Sequence, residues 1–326
     1  MNLSPLVNIV MVTYNQQNYI SQAIESVLNQ KTTFSFQLII SEDCSTDNTF
    51  QICKKYADLN TGRILLIQNK TNLGLARNYE KAFNACSGKY VAILEGDDYW
   101  IDEGKIQKEV DMMESDTGIG LVHAASYLLF EDSGKLVAPP KKMIASNEKK
   151  QGNIYELLIR DNFIYSATVL FRRSLLVEKI NFKYFVDNNV RTIDYAIWLG
   201  ISKHSRVCFL KDIVGVYRVR STSISNRTSV KAQEIFFHTV RLIVDYYLNK
   251  YPVEGFSILD FDNKVNEWLY SKSLTYGDFR SAKFYAAMIE KRSVKLNIMW
   301  SIVKTKFKYI LISFRDTILP GRVNLN

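Results

Sequence analysis

Cysteine is scarce in this 326-residue chain. There are four, Cys44, Cys53, Cys86 and Cys208, and no two form a C-x-x-C pair. That argues against a structural zinc site and favours a reducing compartment. The three histidines (His123, His204, His238) fall in no motif and read as structural or surface residues rather than ligands. No stretch approaches the about 18 uninterrupted apolar residues of a membrane-spanning helix. The opening Met1-Asn2-Leu3-Ser4-Pro5 shows no basic region leading into an apolar one, so no secretory signal is expected. Internal repeats and low-complexity segments are also missing. These absences point to the cytoplasm, or to its membrane surface.

What is present is globular: 47% hydrophobic and 23% charged residues, in a chain long enough for one large domain with an appendage, or two domains. The net charge is +9, but Lys291 to Asn326 holds eight basic residues against one acid, which accounts for +7 of it. The rest is nearly balanced and gives no support to nucleic-acid binding.

Strand-like and helix-like segments alternate from the start. Residues 8–13 read as a buried strand, and Ile20, Ala23, Ile24, Val27 and Leu28 recur at helical spacing within 17–29. Strands follow at 36–41, 63–68 and 89–94. Helices are expected from Thr49, after the start signals Ser45 to Asn48, and over 73–86. Successive βα units imply right-handed crossovers and a mostly parallel sheet with helices on both faces. Beyond Trp100 the spacing predicts a helix over 103–115, a strand over 120–130, an exposed basic loop over 139–151 and a strand over 163–171. A helix over 193–203 and an extended run over 207–219 follow. From Ser229 the pattern is helical: 230–250, 262–275, 278–291 and 295–318. A domain boundary is placed near residue 228, giving units 1–228 and 229–326.

The most informative feature is Glu95-Gly96-Asp97-Asp98, where the apolar run 89–94 stops at three carboxylates. Acids this close repel one another unless a cation or solvent relieves them. They read either as an acidic solvated turn or as hard oxygen ligands for Mg²⁺ or Mn²⁺ shared with a phosphate substrate. Ligands of such sheets bind beyond the carboxyl ends of the strands. Thr13-Tyr14-Asn15, Glu42-Asp43 and the acidic cluster all fall at those ends.

The order of motifs resembles the family 2 inverting glycosyltransferases of the GT-A fold, over residues 7 to about 226. The matching pieces are Val10 to Asn15, Ile40 to Thr49, Asn72 to Asn78, Glu95 to Trp100, Asp194 to Leu199 and Tyr217 to Ser225. The resemblance implies a Rossmann-like, mixed but mainly parallel sheet with a helical C-terminal region. It also implies a nucleoside-diphosphate sugar donor, UDP-linked by family habit. Thr13, Tyr14 and Asn15 match the segment lining the base pocket, where a tyrosine can stack on a pyrimidine. Asp43 matches the acid that accepts from the base, Arg77 a basic residue near base and phosphates, and Glu95 the ribose contact, one methylene longer than the commoner aspartate. Asp97, with Asp98 beside it, matches the metal motif for Mn²⁺ or Mg²⁺. Asp194 matches the catalytic base, at a predicted helix start whose positive end favours the ionised form. The alternative readings are a core aromatic at a strand end for Tyr14, a solvent-facing helix residue for Arg77 and an N-terminal helix acid for Asp194.

One departure stands out. Many relatives carry a histidine two residues after the arginine of the Tyr217-Arg218 element, able to join the metal shell; this chain has Arg220, which can pair with a phosphate instead. Residues 297–319 alternate apolar and basic positions, as a helix lying on an anionic membrane or a core helix with a solvated basic face would. The expectation is a metal-dependent inverting glycosyltransferase that acts on a saccharide or lipid-linked saccharide in capsule, O-antigen or exopolysaccharide synthesis. The alternative is a catalytically silent nucleotide-sugar-binding or scaffold protein.

Overall fold

A computed structural model describes residues 4–220 and 229–289. The first half is built as β1 (Val7–Thr13), α1 (Ile20–Leu28), β2 (Phe36–Glu42), α2 (Thr49–Leu59), β3 (Ile64–Gln68), α3 (Leu75–Asn84) and β4 (Tyr90–Ile93). Then come β5 (Tyr99–Trp100), α4 (Lys105–Ser115), β6 (Ile119–Phe130), β7 (Lys135–Val137), α5 (Lys141–Lys149) and α6 (Tyr155–Leu158). After β8 (Leu170–Arg172) the chain forms α7 (Arg173–Lys179), α8 (Phe182–Asp187), α9 (Ile193–His204) and β9 (Arg206–Val219). The described part closes with α10 (Val230–Lys250), α11 (Ile258–Thr275) and α12 (Phe279–Met288).

The strands join one sheet in the order β3-β2-β1-β4-β8-β6-β9-β5, with β7 on the far end of β6. β1 to β4 run parallel, and β8 enters antiparallel to both β4 and β6. Every residue of β1 is buried, as a strand covered on both faces requires. Its side chains alternate between two cores. Val10 and Val12 join Ile39, Val91 and Ile93 under α3, α9 and α10, while Ile9 and Met11 join Leu38, Ile40 and Ala92 under α1 and α4.

Two expected segments came out differently. The basic loop 139–151 contains the helix α5: its lysines and Ala145 are good helix formers, but it buries only Asn147, so no apolar stripe announced it. The expected strand 163–171 shrinks to β8, preceded by a 3-10 turn at Ser166–Thr168. There the Ala167 carbonyl turns to accept from Trp100 Nε1 at 2.7 Å instead of entering the ladder.

The boundary expected near 228 falls between β9 and α10. α10 nevertheless lays Ile243, Val244 and Tyr247 into the core shared with Trp198 and Phe171. A Cβ at Gly200 would stand 2.6 Å from the Tyr247 hydroxyl, so this glycine permits the close approach in which that hydroxyl donates to Ala196 O. A small separate core forms between α11, α12 and the start of α10 around Leu269, Tyr270 and Tyr285. α11 begins four residues before the expected 262, because Ser257 and Asp260 form a capping box. The expected helix 295–318, and Ser221 to Ser225 of the last motif, lie outside the described residues. No helix among the described residues is long and apolar enough to cross a membrane.

Candidate active site

β1 has β2 on one side and β4 on the other, so the crevice beyond its carboxyl end is the switch point of the sheet. Backbone hydrogen bonds fasten the exits together. Asp43 N–H donates to Thr13 O at 3.0 Å, Asn69 N–H to Glu42 O at 2.9 Å, and Gly96 N–H to Val12 O at 3.2 Å. The loops after β1 and β2 are knitted further. Thr46 N–H donates to Asn15 Oδ1, Gln16 N–H to Thr49 Oγ1 and Gln17 N–H to Asp47 Oδ2. These bonds delay the start of α1 to Ile20, three residues later than its periodicity predicts.

Asp43 is buried and its carboxylate is largely committed. Oδ1 accepts from Asn69 Nδ2 at 2.9 Å and Leu73 N–H at 2.8 Å, and Oδ2 from Gly74 N–H at 3.0 Å. It therefore shapes the loop before α3 and keeps one acceptor position on Oδ2. Asn78 locks the same loop by linking Ser41 and Asn69. Thr13 is buried and its hydroxyl donates to Gln16 Oε1, whereas the Tyr14 ring is 44% exposed at the rim, free to meet a planar ligand. Arg77 stands exposed on α3, with no ion pair to any described residue.

The acidic turn after β4 owes its shape to Gly96. A Cβ there would lie 2.5 Å from Gln16 Oε1, 2.8 Å from Ile20 Cδ1 and 2.9 Å from Thr13 Oγ1. The three acids then diverge. Glu95 accepts from the Tyr79 hydroxyl at 2.7 Å, and burial, with the charges of Asp97 and Asp194, pushes its carboxyl up to about 8. Asp98 turns to β9: Oδ1 accepts from Arg218 N–H at 2.8 Å, and Oδ2 is buried without a partner. Burial, then Asp97 and Glu95, raise it well above the carboxylate range. Asp97 pairs with Arg220, Nη2 to Oδ2 at 2.5 Å.

Asp194 lies in the first turn of α9. Burial raises its carboxyl to about 6, against the backbone N–H groups of Asp194 and Tyr195 that stabilise the anion. Glu95 and Tyr79 both feel its charge, so an acid almost one hundred residues downstream lies within electrostatic reach of the acidic turn.

The Mn²⁺ or Mg²⁺ expected at Asp97 and Asp98, shared with the phosphates of a substrate, would have these two side chains as its protein ligands. Asp97 already has a guanidinium counter-ion and Asp98 faces β9. Among the described residues no group of three or more His, Cys, Asp or Glu side chains converges as metal ligands. As arranged, these residues do not fit a resident divalent ion. His123 sits in the core between Phe163 and Phe209, pushed down to about 3 by burial, and His204 meets the Tyr251 hydroxyl.

Four side chains at the site escaped sequence reasoning: Gln16, Tyr19, Tyr79 and Arg218. Tyr79 directly follows the Asn72 to Asn78 motif, and Arg218 lies within a quoted motif, so adjacency was the available signal. Gln16 directly follows the Val10 to Asn15 motif and carried the same signal; Tyr19 carried none, because its role arises from contacts with the distant Arg218 and Arg220.

Residues 8–178, just over half of the chain, match the model of the family described as "Glycosyl transferase family 2". The Escherichia coli UDP-Glc:alpha-D-GlcNAc-diphosphoundecaprenol beta-1,3-glucosyltransferase WfgD is 30% identical over 268 residues, covering 79% of this chain and 97% of that protein. The putative teichuronic acid biosynthesis glycosyltransferase TuaG of Bacillus subtilis is 29% identical over 239 residues, 72% of this chain and 88% of that one. An uncharacterized Mycobacterium tuberculosis protein is 30% identical over 212 residues, 65% of this chain; the match spans only 58% of that relative's length. Staphylococcus aureus TarS, solved with UDP-GlcNAc, superposes with TM-score 0.54 at 20% identity, over 82% of this chain and 72% of that one. The mannosyltransferase PcManGT of Pyrobaculum calidifontis, solved with GDP-Man and Mn²⁺, gives 0.52 at 14%, over 93% and 80%. At such identities the likeness is one of fold, the GT-A arrangement of a mixed α/β sheet.

Proposed function

The chain belongs to glycosyl transferase family 2, and from that premise we propose that it transfers a sugar, with inversion, from a uridine-diphosphate donor to a saccharide or lipid-linked saccharide of a bacterial surface polysaccharide. The observation that carries this reading is that the charges of Asp97 and Asp194 both act on Glu95, which is hydrogen-bonded to Tyr79 beyond the end of β4. A carboxyl raised to about 6 is suited to act as a general base near neutral pH, ionised yet basic enough to take a proton.

In this reading the exposed Tyr14 ring stacks on the base, and Asp43 offers its remaining acceptor position to a base N–H. Thr13 and Asn15, their side chains held by Gln16 and Thr46, shape the pocket wall. Glu95, tied to Tyr79, meets the ribose, and Arg77 faces the diphosphate. The acceptor hydroxyl gives its proton to Asp194 while its oxygen bonds to the anomeric carbon. The bond from that carbon to the diphosphate oxygen breaks, and its electron pair leaves with UDP. A single displacement from the opposite face turns an α-linked donor into a β-glycoside. No step here runs through a metal: Arg220 holds Asp97 Oδ2, and a Mn²⁺ or Mg²⁺ ion at this carboxylate would meet the positive charge of that guanidinium. The basic amphipathic stretch 297–319 would hold the enzyme on the cytoplasmic membrane face, where a lipid-linked acceptor is presented.

The test is a panel of nucleotide sugars scored by thermal stabilisation, since a ligand that binds only the folded state must raise apparent stability. A UDP-sugar should stabilise the protein, and turnover should release UDP and a β-linked product by NMR. Stabilisation by no nucleotide sugar, or an α-linked product from an α-linked donor, would refute it.

A further inference from the structure

Arg220 occupies the place where a divalent cation was expected. Its Nη2 lies 2.5 Å from Asp97 Oδ2, and the two side chains are only 18% and 12% exposed. The guanidinium also rests over the Tyr19 ring, 5.1 Å from the centroid; the same ring carries Arg218 at 4.9 Å. Arg218 is itself fixed, by Glu131 at 3.0 Å, by Gln22 and by the Tyr99 ring. Arg220 Nε is buried with no hydrogen-bond partner, so a donor atom of a half-buried cation is left unused beside the acidic turn. Buried unpaired donors are uncommon and each needs an explanation, such as an absent water, ion or ligand; Arg218 Nε, over the same ring, is in the same state.

We infer that Arg220, positioned by Asp97 and the Tyr19 ring, is the cation that receives the donor's diphosphate, and that nucleotide binding at this site does not depend on a divalent metal ion. This rests on the proposed nucleotide-sugar site and goes beyond it by assigning the counter-charge. A guanidinium has five N–H donors in a planar fork that matches phosphate geometry, so one arm can hold Asp97 while the others take phosphate oxygens. The aromatic ring fixes the plane of the fork, which lowers the ordering cost of binding. A divalent ion brought to Asp97 would stand beside a fixed positive charge, and its attraction to the carboxylate would be opposed by that charge. Tyr19 is a positioning residue in this arrangement, since it acts through Arg220.

The experiment is calorimetric titration of the full chain with UDP, in EDTA and again with Mn²⁺, alongside an EPR titration of Mn²⁺ alone. The wild type should bind UDP with affinities within about threefold in the two buffers and should bind no Mn²⁺ without nucleotide. Arg220→Ala should lose roughly tenfold or more in EDTA, the size of a charge-assisted hydrogen bond. Arg220→His removes the fixed charge and adds a metal ligand, so its UDP binding should become Mn²⁺-dependent. Tyr19→Leu should weaken UDP binding less than Arg220→Ala does. Unchanged thermal unfolding of the variants would show that they fold. UDP binding that requires Mn²⁺ in the wild type, or an Arg220→Ala variant as tight as wild type in EDTA, would overturn the inference and leave the proposed function standing. If UDP bound under neither condition, the proposed donor site would fall, and this inference with it.

Discussion

Replacing Asp194 by asparagine should make the protein more stable and nearly inactive at once. Burial raises the Asp194 carboxyl from 3.8 to about 6, so the folded state holds its proton more tightly than the unfolded chain does. Below the unfolded value the group is protonated in both states and costs nothing. As pH rises through the folded value, stability is lost, because the folded state must then carry a poorly solvated anion. At about 1.4 kcal/mol per pH unit the full penalty above pH 6 is about 3 kcal/mol. The carboxylate is partly open to the rim, and solvent screening trims this to about 1–3 kcal/mol. Asparagine keeps the shape without the charge. At about 2 °C per kcal/mol for a chain of this size, the variant should melt about 2–6 °C above wild type near pH 7.5. Loss of the base should cut transfer by about 10²–10⁴-fold. The assay is thermal unfolding of both proteins from about pH 4 to about pH 8, with UDP release measured in parallel. Glu109 near 7 bends both unfolding curves alike and cancels in their difference, whereas Glu95, raised to about 8 in part by the Asp194 charge, adds a further gain to the variant as it ionises. That difference should be small near pH 4, grow up to about pH 6 and grow again toward pH 8 as Glu95 ionises. A variant no more stable than wild type at pH 7.5, or one that keeps a tenth of the rate, would refute the reasoning.

Gly96→Ala should cost about 1–3 kcal/mol by forcing Gln16, Ile20 and Thr13 apart, and should slow transfer on the order of tenfold to a hundredfold as the acidic turn shifts; urea unfolding and UDP release check both. The ion pair of Lys105 and Glu109, 2.7 Å apart and fully buried beneath Trp100, predicts that Lys105→Met or Glu109→Leu alone loses about 3–5 kcal/mol, whereas the double variant recovers most of it. A single variant that unfolds like wild type would contradict this. Reversing Lys304, Lys306 and Lys308 to glutamate in the full chain should abolish flotation with anionic liposomes, and equal recovery of both proteins would end the membrane reading.

The fold could be read because its signals are local. Unbroken apolar runs such as Val7 to Thr13 mark strands buried on both faces, and helical spacing such as Ile20, Ala23, Ile24 and Val27 marks the covering helices. Segments with weak local signals failed: α5 buries only Asn147 and so shows no apolar stripe, and Leu170–Arg172 is too short to show a period.

By itself, the sequence determined the alternation of strands and helices, hence a parallel sheet with a ligand rim, and which acids stand at that rim. Only the tertiary structure decided what each acid does there. Three carboxylates within four residues acquire different partners, Tyr79 for Glu95, Arg220 for Asp97 and the Arg218 backbone for Asp98. Those partners come from 16 to 123 residues away in the chain. Local pattern specifies backbone form, but a charge is set by everything within a few ångströms of it, and that neighbourhood exists only once the sheet has closed over the crevice.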